Sequence, residues 1–244
     1  MFTQTFGAVL LASTVACLVT TAGIYIIQKY EHWANHNITY FISFAAGVLI
    51  SVSFLHLIPE AFEMNPKAPM FLLGGFMGLY VVNRFIGRFV CHNCDSATLT
   101  IGVIPMIGIG LHSFIDGIIY SITFNVSIFT GALAAIGMIL HEFPEGVVTF
   151  LLLQKGGFSK KKSILWAFLA AALSTPLGTL ISYPLISRIG SQTLGLLLSI
   201  SAGALVYVGA THLLPTVEKE KGKYTLLSLA AGIFIAVLIV ATHG

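Results

Sequence analysis

Apolar residues run along this chain in long blocks rather than in alternation. Eight such stretches lie near 5–27, 39–59, 68–90, 98–122, 127–153, 163–187, 191–214 and 224–243, separated by short polar breaks. Each is long enough to cross a hydrocarbon core about 30 Å thick as an α-helix. Strand-type alternation is absent, and helices are the other way to satisfy backbone groups in lipid. The pattern predicts an all-α membrane protein with eight transmembrane helices and short loops, forming a single domain over residues 1–244.

Composition supports the same class. With 57% hydrophobic residues, 9% charged residues and a mean hydropathy of +0.94, the chain lies far from the balance of soluble domains. The first apolar stretch is rich in small residues but lacks the cationic segment of a secretory signal, so it is read as a span. Charge then sets orientation. Lys29, Arg84, Arg88, Lys155, Lys160, Lys161, Lys162, Lys219, Lys221 and Lys223 follow odd-numbered spans, whereas the even loops hold only Lys67 and Arg188. Cationic loops face the cytosol, which places both termini on the non-cytosolic side. The net charge of +3 follows from this asymmetry and gives no reason to invoke nucleic acid. The expectation is a multi-pass protein of the plasma membrane or an organelle membrane.

Three cysteines are too few for a disulfide framework. Cys17 reads as a small buried side chain. Cys91, His92 and Cys94, in "CHNCD", fall in a cytosolic loop that is either a metal-catching segment or a plain solvated one.

Two duplications organise the chain. "LHSFIDG" (111–117) and "LHEFPEG" (140–146) share Leu, His, Phe and Gly, with Asp116 aligned to Glu145, and lie in consecutive spans. "AGVLISVSFLHLIP" (46–59) and "AGALVYVGATHLLP" (202–215) agree at seven of fourteen positions, in the second and seventh spans. Members of each pair run antiparallel, so the plan is a 3+2+3 inverted repeat, the architecture of many secondary transporters.

The central pair carries the chemistry. An ionised carboxylate at the centre of a membrane helix costs about 3 kcal/mol, so such residues there mark function. His112 and Asp116 lie one helical turn apart, as do His141 and Glu145, with Glu142 beside them. Antiparallel neighbours bring these faces together. Two imidazoles and two or three carboxylates suit Zn²⁺, Fe²⁺ or Mn²⁺, and a divalent ion cancels charges that would otherwise repel one another. Pro144 frees the carbonyl of Leu140, so the fifth helix is expected to bend at the motif. Gly117 and Gly146 end the two motifs with room for close helix approach. His56 and His212, taken singly, read as hydrogen-bonded packing or as secondary ligands along a path. Glu60 and Glu63 read as a solvated helix end or a cation-attracting entrance.

These motifs resemble the ZIP (Zrt/Irt-like) family of divalent metal ion transporters: the paired "HSFIDG" and "HEFPEG", the "HLIPE" ending the second span, and the "PLG" of the sixth. The resemblance implies a carrier that moves Zn²⁺ into the cytosol, with tolerance for Fe²⁺, Mn²⁺ or Cd²⁺ as substrate and no resident cofactor. Carried over by position, the primary site is His112, Asp116, His141 and Glu145. Family members with a binuclear centre add ligands matching Ser113, Glu142 and Thr175; the last is a glutamate in such members. With Ser113 and Thr175 as weaker donors, the expectation is one ion, with Glu142 assisting its capture or release. The resemblance also implies that the first, fourth, fifth and sixth helices slide against the other four. A homodimer is compatible with this plan. Two rival readings stand beside it. An intramembrane zinc-dependent hydrolase is suggested by "HEFPE", which approaches HExxH but has Glu145 where the second histidine belongs. The other is a non-transporting metal-sensing scaffold.

Overall fold

The computed structural model describes residues 2–85, 96–126, 128–188, 190–219 and 223–241, and every element assigned among them is helical. In chain order these are α1 (Phe2–Lys29), α2 (Glu31–His36), α3 (Ile38–Val52), α4 (Ile58–Met64), α5 (Ala68–Phe85) and α6 (Ser96–Val126). They continue with α7 (Ile128–Lys155), α8 (Lys160–Ala167), α9 (Ser174–Ser182), α10 (Ser191–Val208), α11 (Leu214–Lys219) and α12 (Thr225–Ala241). Among the described residues, six helical rods are long and apolar enough to cross a membrane: Thr5–Lys29, Ile38–Met64, Ala68–Phe85, Ile101–Asn125, Lys160–Ile186 and Ser191–Leu213. The motif-bearing α7 has 28 residues, and Thr225–Leu238 is a shorter apolar helix. The expected span near 68–90 is described as far as Phe85; Arg88, Cys91, His92 and Cys94 lie outside the described residues.

The interruptions fall where the sequence did not place them. Helix α7 runs unbroken from Ile128 to Lys155 with Pro144 inside it. Neighbouring helices and local adjustment re-satisfy the carbonyl that a membrane proline frees. Three other rods instead contain one π-helical turn: Ser53–Leu57 between α3 and α4, Phe168–Ala172 after α8, and Gly209–Leu213 between α10 and α11. The first and last occupy matching positions of the 46–59 and 202–215 repeat, and carry His56 and His212. Such turns are rare and concentrate at functional sites.

The rods pack as two groups. Helices α1, α6, α7 and the α8–α9 rod pack on one another; α3–α4, α5, α10–α11 and α12 form the other group, and α6 meets α10 between them. Small residues set the closest approaches, and they recur at repeat-matched positions. A Cβ on Gly117 would collide with the Thr175 carbonyl of α9, and one on Gly146 would lie 2.5 Å from the Thr20 carbonyl of α1. Likewise Gly47 of α3 lies against α12 and Gly203 of α10 lies against α5. Both motif-ending glycines therefore do what their positions predict.

Candidate metal centre

Neighbouring faces of α6 and α7 bring the motif residues into one buried cluster. His112, Asp116, Glu142 and Glu145 are at most 4% exposed and His141 is 8% exposed. Helical spacing stacks His112 over Asp116 and His141 over Glu145, so each helix presents one imidazole and one carboxylate to the other.

The distances define the centre. His112 Nε2 lies 3.5 Å from Asp116 Oδ2 and 3.4 Å from Glu145 Oε1. His141 Nε2 lies 2.9 Å from Asp116 Oδ2 and 3.8 Å from Glu145 Oε1. Donor atoms of His112, His141 and Glu145 all fall within 4.8 Å of one another. Four ligands at about 2.0 to 2.1 Å around a tetrahedral Zn²⁺ stand about 3.4 Å from one another. The four His–carboxylate separations bracket that value. The shortest contact is the one that must lengthen, because His141 Nε2 is hydrogen-bonded to Asp116 Oδ2.

Glu142 stands apart from this set. One carboxylate oxygen accepts a 3.0 Å hydrogen bond from Thr175 Oγ1, and the other accepts one from Thr20 Oγ1. Ser113, the residue aligned with Glu142 in the other motif, donates to Glu145 Oε2 at 3.1 Å. Thr149, one turn beyond Glu145, returns its hydroxyl to the Glu145 carbonyl at 2.7 Å. Beside Glu145 lies a cavity of about 10 Å³ lined by Ala45, Val48, Leu49, Ile109, Pro144 and Val148. That is room for about one water.

His56 and His212 are placed elsewhere. His56 Nε2 lies 3.6 Å from Glu60 Oε2 on a half-exposed rim, and His212 packs edge-on against Tyr207 and contacts Thr211 Oγ1 at 2.9 Å. Glu63 is exposed.

Two polar partners escaped sequence reasoning. Thr20 reaches Glu142 from α1, and Ser201 Oγ of α10 lies 3.0 Å from His112 Nδ1. A signal for the first was present. Thr20-x-x-Gly23 in α1 matches Thr175-x-x-Gly178 in α9, and each glycine packs on a motif phenylalanine, Gly23 on Phe143 and Gly178 on Phe114.

Comparison with known proteins agrees with the geometry. The family described as ZIP Zinc transporter matches residues 5–98 and 91–240. The chain is 29% identical to the zinc transporter ZupT of Chlorobium phaeovibrioides, with 94% of this chain and 95% of that one covered. It is 35% identical to zinc transporter ZupT of Clostridium perfringens, covering 73% and 62% respectively, and 25% identical to that of Escherichia coli O7:K1, covering 86% of each. With its motifs, its apolar helices and a family match along nearly its whole length, the chain belongs to the ZIP zinc transporter family, whose members are multi-pass membrane transporters and not enzymes, which sets the hydrolase alternative aside.

Proposed function

We propose that this chain is a secondary transporter that carries Zn²⁺ across the membrane into the cytosol, with His112, Asp116, His141 and Glu145 as ligands of the travelling ion. The observation that carries the proposal is the buried convergence of two imidazoles and two carboxylates, from neighbouring helices, at separations of 2.9 to 3.8 Å. No thiolate takes part, which suits a site that must release its ion as well as bind it. The donor set also admits Fe²⁺, Mn²⁺ and Cd²⁺.

The chemistry follows from the contacts. A hydrated cation arriving from the non-cytosolic face exchanges water for imidazole and carboxylate. Binding through His141 Nε2 replaces the contact with Asp116, so that nitrogen carries no proton once the metal is bound. Glu145 accepts a proton again when the ion departs, because a lone carboxylate in low dielectric favours its neutral form. Glu142 remains held by Thr20 and Thr175 and assists capture of a single ion rather than binding a second one.

The wider plan belongs to the same proposal. One domain, residues 1–244, crosses the membrane eight times as a 3+2+3 inverted repeat with both termini non-cytosolic. The matched π-helical turns and the matched glycine contacts support the repeat, and the ten-to-two distribution of Lys and Arg over the loops supports the orientation. The separation into two packing groups supports sliding of one against the other.

Uptake of ⁶⁵Zn into proteoliposomes tests the reading. Wild-type protein accumulates the isotope, and His141→Ala and Glu145→Ala each lower the initial rate at least tenfold; variants that transport at the wild-type rate would remove the site. Repeating the assay with and without an imposed proton gradient tests the proton step, and an unchanged rate removes it.

A further inference from the structure

The centre has a polar neighbour on the opposite packing group. His112 belongs to α6 and Ser201 to α10, and the two side chains are 1% and 0% exposed. The 3.0 Å contact is made by Nδ1, the ring nitrogen that faces away from Asp116 and Glu145. Serine hydroxyls in these helices commonly turn back onto their own backbone, as Ser53 does onto Leu49 and Ser199 onto Gly195. Ser201 reaches across to the histidine instead.

The duplication supplies an internal comparison. The repeat that aligns Ala46 with Ala202 aligns Ala45 with Ser201, just as the central motifs align His141 with His112. Ala45 lines the small cavity beside Glu145 and offers a methyl group where Ser201 offers a hydroxyl. The two repeats thus differ at this position: Ser201 places a hydroxyl against the His112 imidazole, where the aligned residue is Ala45.

We propose that Ser201 is a positioning residue for metal binding: its hydroxyl accepts a hydrogen bond from His112 Nδ1–H, fixing the tautomer and ring plane that aim the Nε2 lone pair into the centre. A neutral imidazole carries one proton, and holding it on Nδ1 leaves Nε2 free to bind. Because Ser201 stands on the other group of helices, the ligand is correctly set only while the two groups keep the register seen here. A shift of α6 along α10 removes the hydroxyl, frees the ring and weakens the site, so affinity is tied to conformation. This inference rests on the metal site described under Proposed function.

The test is Cd²⁺ and Zn²⁺ binding by calorimetry on the purified full chain in lipid nanodiscs, paired with ⁶⁵Zn uptake. Ser201→Ala is expected to weaken binding about ten- to a hundredfold, as loss of a partner that orients a ligand histidine does elsewhere. It raises the KM for uptake while leaving the maximal rate within about twofold, and Ser201→Thr, which keeps the hydroxyl, recovers most of the affinity. In a His112→Ala background the same Ser201→Ala change has no further effect. Undiminished affinity in Ser201→Ala, alongside lost affinity in His112→Ala, overturns the inference and leaves the metal site standing. An additional loss in the His112→Ala background overturns it too, because Ser201 then acts by packing. Undiminished affinity in His112→Ala overturns the metal site itself. Should Ser201→Ala fail to fold, nitrogen-15 spectra of histidine-labelled wild-type protein decide. A proton on His112 Nδ1 supports the proposal, and a proton on Nε2 overturns it.

Discussion

Glu142 is the carboxylate that the duplication does not account for, since the aligned position in the other motif is Ser113. Its two oxygens are taken up by Thr20 and Thr175, from helices on either side of the central pair. A buried carboxylate with both oxygens satisfied is held in place, whereas the donors of His112, His141 and Glu145 face one another. Two outcomes follow. Calorimetric titration of Glu142→Gln is expected to give the same one-ion stoichiometry as wild type, while His112→Ala and Glu145→Gln lose that binding; a fall from two ions to one in Glu142→Gln would establish a binuclear centre instead. Replacing both threonines with valine strips the carboxylate of its hydroxyl donors. Hydrogen bonds inside membranes are worth about 1 kcal/mol each, so the double variant should unfold earlier in a thermal denaturation series by about 2 kcal/mol of stability. The cysteine pair Cys91 and Cys94 enters neither outcome.

At the scale of elements, the all-helical membrane class was legible in the sequence. Long apolar blocks give helices, and the described part of each predicted stretch is helical apart from Leu173 and Tyr224. The central cluster was legible because His-x-x-x-acid on two antiparallel helices leaves one way for both faces to meet. What escaped depended on contacts between distant segments. Nothing local in "ISAGAL" marks Ser201 as the partner of His112, because the hydroxyl matters only once α10 lies beside α6. The π-helical turns at His56 and His212 were hidden for a similar reason: an extra residue in a turn is stabilised by surrounding packing rather than by local propensity. Pro144 lies inside an unbroken α7, as membrane helices can carry a proline without ending. Glycines show the same dependence on context. Gly74 and Gly75 are adjacent, yet a Cβ at Gly74 meets open space whereas one at Gly75 would collide with the Ile200 backbone of α10. Gly75→Ala is therefore expected to destabilise the protein by about 1–3 kcal/mol through overpacking, and Gly74→Ala to be neutral or slightly stabilising. Detergent-solubilised thermal unfolding compares them directly, and equal effects would refute the packing assignment.

For the whole molecule, the decisive feature is that both helices bearing the proposed metal ligands belong to one packing group and border the other. Carrying an ion by relative motion of the groups requires an interface that slides, and Gly108 sits in that interface. A Cβ added to Gly108 would lie 2.8 Å from Val208 Cγ2 and 3.3 Å from Leu79 Cδ2, both on the opposite group. These neighbours are side-chain ends, which can yield in a resting state but obstruct movement past them. Gly108→Leu is thus expected to leave equilibrium Cd²⁺ affinity within about threefold, since Gly108 is one turn away from His112 and contacts no ligand, while lowering the maximal rate of ⁶⁵Zn uptake at least tenfold. A static centre in a fixed pore predicts a different result, with rate and affinity changing together or not at all. Separation of the two quantities in one variant distinguishes a moving carrier from a channel built on the same residues.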